Sequence, residues 1–229
     1  MTGTMTGTKP GTMLVTGGSR GIGRAVALMA AERGWDIALN WRGDRAAAEE
    51  TAARIRDLGR RVVVSQGDVS VEADVIRVFD EAEAAFGRLD AVVVNAGIAA
   101  PAMRLAEMGL DRIERVIRVN VTGALLTCRE AARRMGRTGE PTASITIIGS
   151  AASRLGGGGQ YVDYAASKAA VEALTNGLSK ELAGDGIRVN SVHPGIIDTP
   201  IWGKIPTGAT GASQNAPIVP RAKTAGAAS

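Results

Sequence analysis

Residues 15–27 read VTGGSRGIGRAVA, a glycine-rich turn entered from the apolar run 13–15 and left through a helical pattern. Gly17, Gly21 and Gly23 are spaced G-x-x-x-G-x-G. Glycines at a strand-to-helix turn let backbone amides approach a pyrophosphate lying on the helix N-terminus. In a chain with 30 glycines the spacing alone carries little weight. Its position between a strand and a helix is what gives it meaning.

Outward from this turn, short Val- and Ile-rich runs recur at 13–15, 36–40, 62–65, 91–95, 144–148 and 188–192, each the length of a buried strand. Helical patterns lie between them at 22–33, 45–58, 72–86, 111–135 and 163–183. This alternation predicts an α/β fold: a single-domain, doubly wound parallel sheet with helices on both faces, binding ligands beyond the strand C-termini. With 229 residues, 45% of them hydrophobic and only 3% aromatic, one core filled by Ala, Val, Ile and Leu is expected. The boundaries predicted are a flexible segment at 1–11, the binding and catalytic domain at 12–200, and a substrate-loop remnant with a partly disordered tail at 201–229.

The net charge of +4 comes from 22 Arg and five Lys, spread through helical segments such as AARIRDLGRR and CREAARRMGR. Solvated helix faces account for them, and no basic stretch is interleaved with aromatics, so no nucleic-acid partner is expected. One cysteine, Cys128, and one histidine, His193, leave no disulfide within the chain and no Cys/His zinc site. Cys128 is expected in the core. No uncharged apolar run of transmembrane length occurs, so no membrane partner is expected, and a cytoplasmic setting is inferred.

The predicted dinucleotide site extends from Gly17, Ser19, Arg20, Gly21, Ile22 and Gly23 to the end of the second strand, ALNWRGD. There Asn40, Trp41 and Arg42 stand where an acidic residue would select a free ribose 2′-hydroxyl. Arg20 and Arg42 favour NADP(H), while nearby Asp44 leaves NAD(H) open. In GDVS, Asp68 and Val69 follow the third strand and face the adenine edge, or Asp68 is a turn residue. Asn95, Ala96 and Gly97 end the fourth strand in a small-residue turn.

Both tyrosines lie in GSAASRLGGGGQYVDYAASK, residues 149–168. Tyr164 has Lys168 one helical turn away, whereas Tyr161 has Ala165. A phenol titrating near ~10 is a weak base at neutral pH, and a nearby ammonium would lower that value. Ser150, past the fifth strand, is the candidate to hold a substrate oxygen, with Ser153 as its rival.

Taken in order, Thr16-Gly17-Gly18-Ser19-Arg20-Gly21-Ile22-Gly23, then Asn95-Ala96-Gly97, Ser150 with Tyr164-Ala165-Ala166-Ser167-Lys168, and HPGIIDTP, the sequence from Thr12 to Trp202 resembles the short-chain dehydrogenase/reductase family. The resemblance implies a Rossmann fold and an NADP(H)-dependent interconversion of a ketone and a secondary alcohol. Tyr164 would be the general acid/base, Lys168 its pKa-lowering partner on the nicotinamide ribose, Ser150 the orienting hydroxyl and Asn120 the holder of a relay water. Asn95 and Gly97 would line the cofactor, and Pro194, Gly195, Ile197 and Thr199 would contact its nicotinamide end. Tyr161 would wall the substrate pocket. The substrate, a small carbonyl or alcohol, would be chosen by residues 99–105, 153–161 and 201–216. Relatives continue with a further helix and a seventh strand, which this chain is expected to lack. A homodimer is therefore expected, with a tetramer possible. The alternative function is a dinucleotide-binding sensor, or a remnant impaired by C-terminal loss.

Overall fold

A computed structural model of the chain describes residues 11–136, 143–197, 199 and 201. The tail at 202–229 and the first ten residues lie outside them, as does the expectation of a missing helix and seventh strand.

Six parallel strands form one sheet in the order β3-β2-β1-β4-β5-β6. They are β1 Thr12–Val15, β2 Asp36–Trp41, β3 Val62–Gln66, β4 Ala91–Val94, β5 Ala143–Ile148 and β6 Ile187–Val192. The strand order reverses between β1 and β4, where the two connections leave in opposite directions and open a crevice. Leu14 pairs with Ala38 on one side and Val92 on the other, so both halves of the sheet are in register at this point.

Because strand side chains alternate, every strand but β6 feeds two cores. Leu14, Ala38, Val92, Val94, Ile145 and Ile147 point into one, with Phe79, Ala131 and Val171. Val15, Ile37, Leu39, Val93 and Ile148 point into the other, with Ala27, Ala31, Ala48 and Ile55. The helices are α1 Gly21–Glu32, α2 Arg45–Asp57, α3 Glu72–Phe86, α4 Leu110–Ile117, α5 Gly123–Arg134, α6 Ala152–Leu155 and α7 Val162–Glu181, and α1, α2, α3, α5 and α7 supply the helix side of these cores. Alanine supplies much of the helix side of both cores, which brings helix backbone close to the sheet without large aromatics. Cys128 is buried among these side chains, and burial pushes its thiol up to about 12.

Two details depart from the sequence reading. The single helix expected at 111–135 is two helices joined by a π-helical turn, Arg118–Thr122. Its widened i→i+5 turn accommodates Asn120, whose buried amide bonds sideways to other elements rather than lying in an unbroken helix. The glycine run at 156–159 is preceded by one turn of helix, α6, ended by Gly156 at φ 77°.

Candidate functional site

At the β1–α1 turn, Gly17 and Gly21 have φ of 64° and 56°, values open to glycine and strained for other residues. The turn exists because Arg20 stays extended at φ −154° before α1 begins at Gly21. Side chains from both neighbouring strands fix its backbone. Asn40 accepts from Gly17 N at 3.3 Å, and its amide donates to Gly67 O at 3.0 Å. Asn95 donates to Thr16 O at 2.8 Å and Gly17 O at 3.1 Å. Thr16 Oγ1 in turn accepts from the backbone N–H groups of Asn95 and Ala96.

A cleft of about 420 Å³ runs from this turn across the strand ends. Gly17, Ser19, Arg20, Gly21, Ile22, Arg42, Asp44, Val69, Asn95, Ala96 and Gly97 line it together with Ser150, Tyr164, Lys168, Pro194, Gly195, Ile197 and Thr199. The side chain of Thr199 lies against Gly21, so the segment after β6 reaches over the glycine turn.

Five predicted residues stand behind the wall rather than on it: Gly23, Asn40, Trp41, Asp68 and Asn120 are absent from the lining. Gly23 packs so closely that an added Cβ would lie 2.5 Å from Asn95 Nδ2. Trp41 is buried with Ile37 and Leu39 in the core. Asp68 takes its turn role, accepting from Ser70 N at 2.9 Å and Ser70 Oγ at 2.7 Å while pairing with Arg42 at 3.1 Å. Asp44 caps α2 through Ala47 N at 3.0 Å. Arg20 makes no ion pair among the described residues.

Ser150 follows β5 by two residues and is held by backbone bonds on both sides, Gly149 N to Val192 O and Ala151 N to Pro194 O. Its hydroxyl accepts from Ala152 N at 3.1 Å and hydrogen-bonds Tyr164. The Ser153 hydroxyl lies 2.9 Å from both the Ser150 carbonyl and the Glu172 carboxylate, pointing away from the role of rival. Lys168 is buried, donates to Ile148 O at 2.7 Å and sits 5.8 Å from the centre of the Tyr164 ring. Burial pushes its ammonium down to about 8. Burial also raises Tyr164 above the ordinary phenol value of 10, opposed in part by the Ser150 hydrogen bond. Those two opposing causes, burial and the Ser150 hydroxyl, set the direction for the phenol.

Asn120 joins three elements below the cleft. It accepts from Ile98 N at 2.8 Å, donates to Ile98 O at 2.9 Å and donates to Ser167 Oγ at 3.0 Å. Its Oδ1 and the Lys168 ammonium both border Gly97, where an added Cβ would lie 3.3 and 3.5 Å from them. Thr16, Ile98, Val119 and Ser167 were not singled out from the sequence. Thr16 and Ser167 sit within quoted motifs, but their partners are distant in the chain, and nothing local announces them.

The family model described as short chain dehydrogenase matches residues 11–209. The chain belongs to the short-chain dehydrogenase family. It is 46% identical over 187 residues to the uncharacterized oxidoreductase YgfF of Escherichia coli, covering 81% of this chain and 76% of that protein. Among solved short-chain dehydrogenases, one from Burkholderia cenocepacia in complex with NADP has TM-score 0.78 and 39% identity, with 82% of this chain and 75% of that chain covered. One from Burkholderia phymatum in complex with NAD has TM-score 0.80 and 31% identity, with 86% and 69% covered. The protein is thus an oxidoreductase of the short-chain dehydrogenase type, in a family whose members bind NAD or NADP. No described helix is long and apolar enough to cross a membrane, and no described group of three or more His, Cys, Asp or Glu side chains is arranged to hold a metal.

Proposed function

We propose that this protein interconverts a ketone and a secondary alcohol using NADP(H), with Tyr164 as the general acid/base. One observation carries the reading: Ser150, Tyr164 and Lys168 line the same cleft as the glycine turn.

The residues present fit a dinucleotide. The α1 N-terminus, beginning at Gly21, offers N–H groups to a pyrophosphate, and the positive φ of Gly17 and Gly21 shapes the turn that leads to it. Gly97 leaves open the space beside Lys168 and Asn120 that a side chain would fill. When bound, nicotinamide supplies or accepts the hydride. Ser150 orients the substrate oxygen through its hydroxyl, and Tyr164 passes the proton to or from that oxygen. Burial keeps the phenol protonated, the form that donates in carbonyl reduction. Lys168 places a desolvated cation next to the ring, where it opposes any build-up of positive charge and favours the phenolate left after donation.

For the cofactor, Arg20 in the glycine turn and Arg42 after β2 line the cleft, as does Asp44, whose carboxylate caps α2. This supports NADP(H) over NAD(H). The protein is read as a cytoplasmic homodimer acting on a small carbonyl or alcohol.

The test is titration of purified protein with NADPH and NADH by nicotinamide fluorescence, followed by cyclohexanone and ethyl acetoacetate added to the complex. Tighter NADPH binding with oxidation on adding carbonyl, lost in Tyr164→Phe, is the expected result. Binding without oxidation of any carbonyl would favour a sensor or an impaired remnant.

A further inference from the structure

We propose that Arg112, far from Tyr164 in sequence, is a positioning residue for it and for the substrate-side wall of the cleft; this rests on reading Tyr164 as the acid/base. Arg112 lies in the first turn of α4, and its guanidinium forks onto Asp163, with Nε to Oδ2 at 2.9 Å and Nη2 to Oδ1 at 3.3 Å. Side chains on both sides are nearly out of solvent, 13% exposed for Arg112 and 2% for Asp163. Burial works against the Asp163 carboxylate, but Arg112 and backbone N–H groups hold it below its ordinary range.

Asp163 immediately precedes Tyr164 in the first turn of α7, where backbone N–H groups lack helical partners. Its Oδ1 accepts from Tyr164 N at 2.9 Å, so the ion pair anchors the backbone that carries the phenol. The remaining Arg112 nitrogen, Nη1, donates to Pro101 O, in the loop that leaves β4 past Gly97 and Ile98. That loop is tied to the α7 approach a second time, through Met103 N to Gln160 O at 3.0 Å. One planar cation therefore sets the spacing between the loop and the tyrosine. A lysine would supply the charge without the fork. The glycine turn and the end of β2 lie on other elements, so the cofactor end of the cleft does not depend on this clamp.

The experiment compares Arg112→Ala, Arg112→Lys and Asp163→Asn with the native protein. Asp163→Asn keeps an acceptor for Tyr164 N and removes only the ion pair, so it also serves if Arg112→Ala fails to fold. With cyclohexanone or ethyl acetoacetate, kcat/KM should fall 10- to 100-fold in Arg112→Ala and less in Arg112→Lys, with the Kd for NADPH within twofold of native. In protein labelled with 15N-tyrosine, only Tyr161 and Tyr164 give backbone signals, and exchange at Tyr164 should accelerate at least tenfold. A loss shared equally by NADPH binding, or an unchanged Tyr164 amide, overturns the proposal. If the native protein reduces neither carbonyl, the reductase reading falls, while the amide exchange still decides whether Arg112 holds Tyr164.

Discussion

The Lys168 ammonium donates to the Ile148 carbonyl at 2.7 Å, reaching from α7 to the last residue of β5 with no carboxylate among the described residues sharing its charge. Its proton leaves at about 8 in the fold against an ordinary value of 10.5. Below pH 8 both folded and unfolded chains carry that proton, and the burial cost is fully present. Between pH 8 and 10.5 the unfolded chain holds a proton the fold has lost, so stability rises with pH. Lys168→Met removes the buried charge but leaves the Ile148 carbonyl without its donor. Relative to this variant, the native protein should gain on the order of 2–3 kcal/mol between pH 7 and pH 10. Urea unfolding of both at the two pH values measures it; a gap that does not move with pH would mean the ammonium is solvated.

Tyr164→Phe deletes the hydroxyl that meets Ser150 and leaves the buried ring in place. Turnover should fall by about 10²–10⁴, the range for loss of a general acid. Fluorescence titration should give an unchanged Kd for NADPH if, as proposed, the phenol acts on the substrate oxygen.

Arg20→Ala should weaken NADPH binding about tenfold and leave NADH within twofold, the loss of one charge-assisted contact to a phosphate. Arg42→Ala should do less, since Asp68 already engages that guanidinium. The difference between the cofactors should shrink as salt is raised from 50 to 500 mM. Equal losses for both cofactors would place Arg20 elsewhere than at the 2′-phosphate.

Gly23→Ala puts a methyl group 2.5 Å from Asn95 Nδ2 and 3.0 Å from the Gly17 carbonyl carbon. Backbone cannot yield as a flexible side chain would, so thermal unfolding should show about 1–3 kcal/mol of destabilisation. Gly43→Ala, with nothing within 4 Å and an ordinary φ, should stay within about 0.5 kcal/mol of native.

The sheet was legible because each strand is a short apolar run and each helix a longer periodic one. All six predicted strands overlap the observed ones, from Met13–Val15 inside β1 to the run ending at Val192 in β6. The glycine turn, Ser150 and the Tyr164/Lys168 pair were legible because their spacing is local. What escaped depends on partners far along the chain. Asn120 sits in the widened turn with its amide donated to Ile98 O and Ser167 Oγ. Asn40 reads as a contact residue at a strand end, yet its bonds to Gly17 and Gly67 make it a brace beneath the turn. Arg112 looks like one solvated arginine among 22, and only the fold brings Asp163 to it.

Thr16 and Asn95 stitch β1 to β4 with side-chain bonds to each other's backbone, whereas much of the opposite rim hangs on loops and the single turn α6. The molecule therefore resembles a fixed socket beside an interchangeable jaw. Exchanging residues 99–105 and 153–161 for those of another family member should retune which carbonyl is accepted while the socket keeps its shape. Such divergence lets one inherited fold serve many substrates.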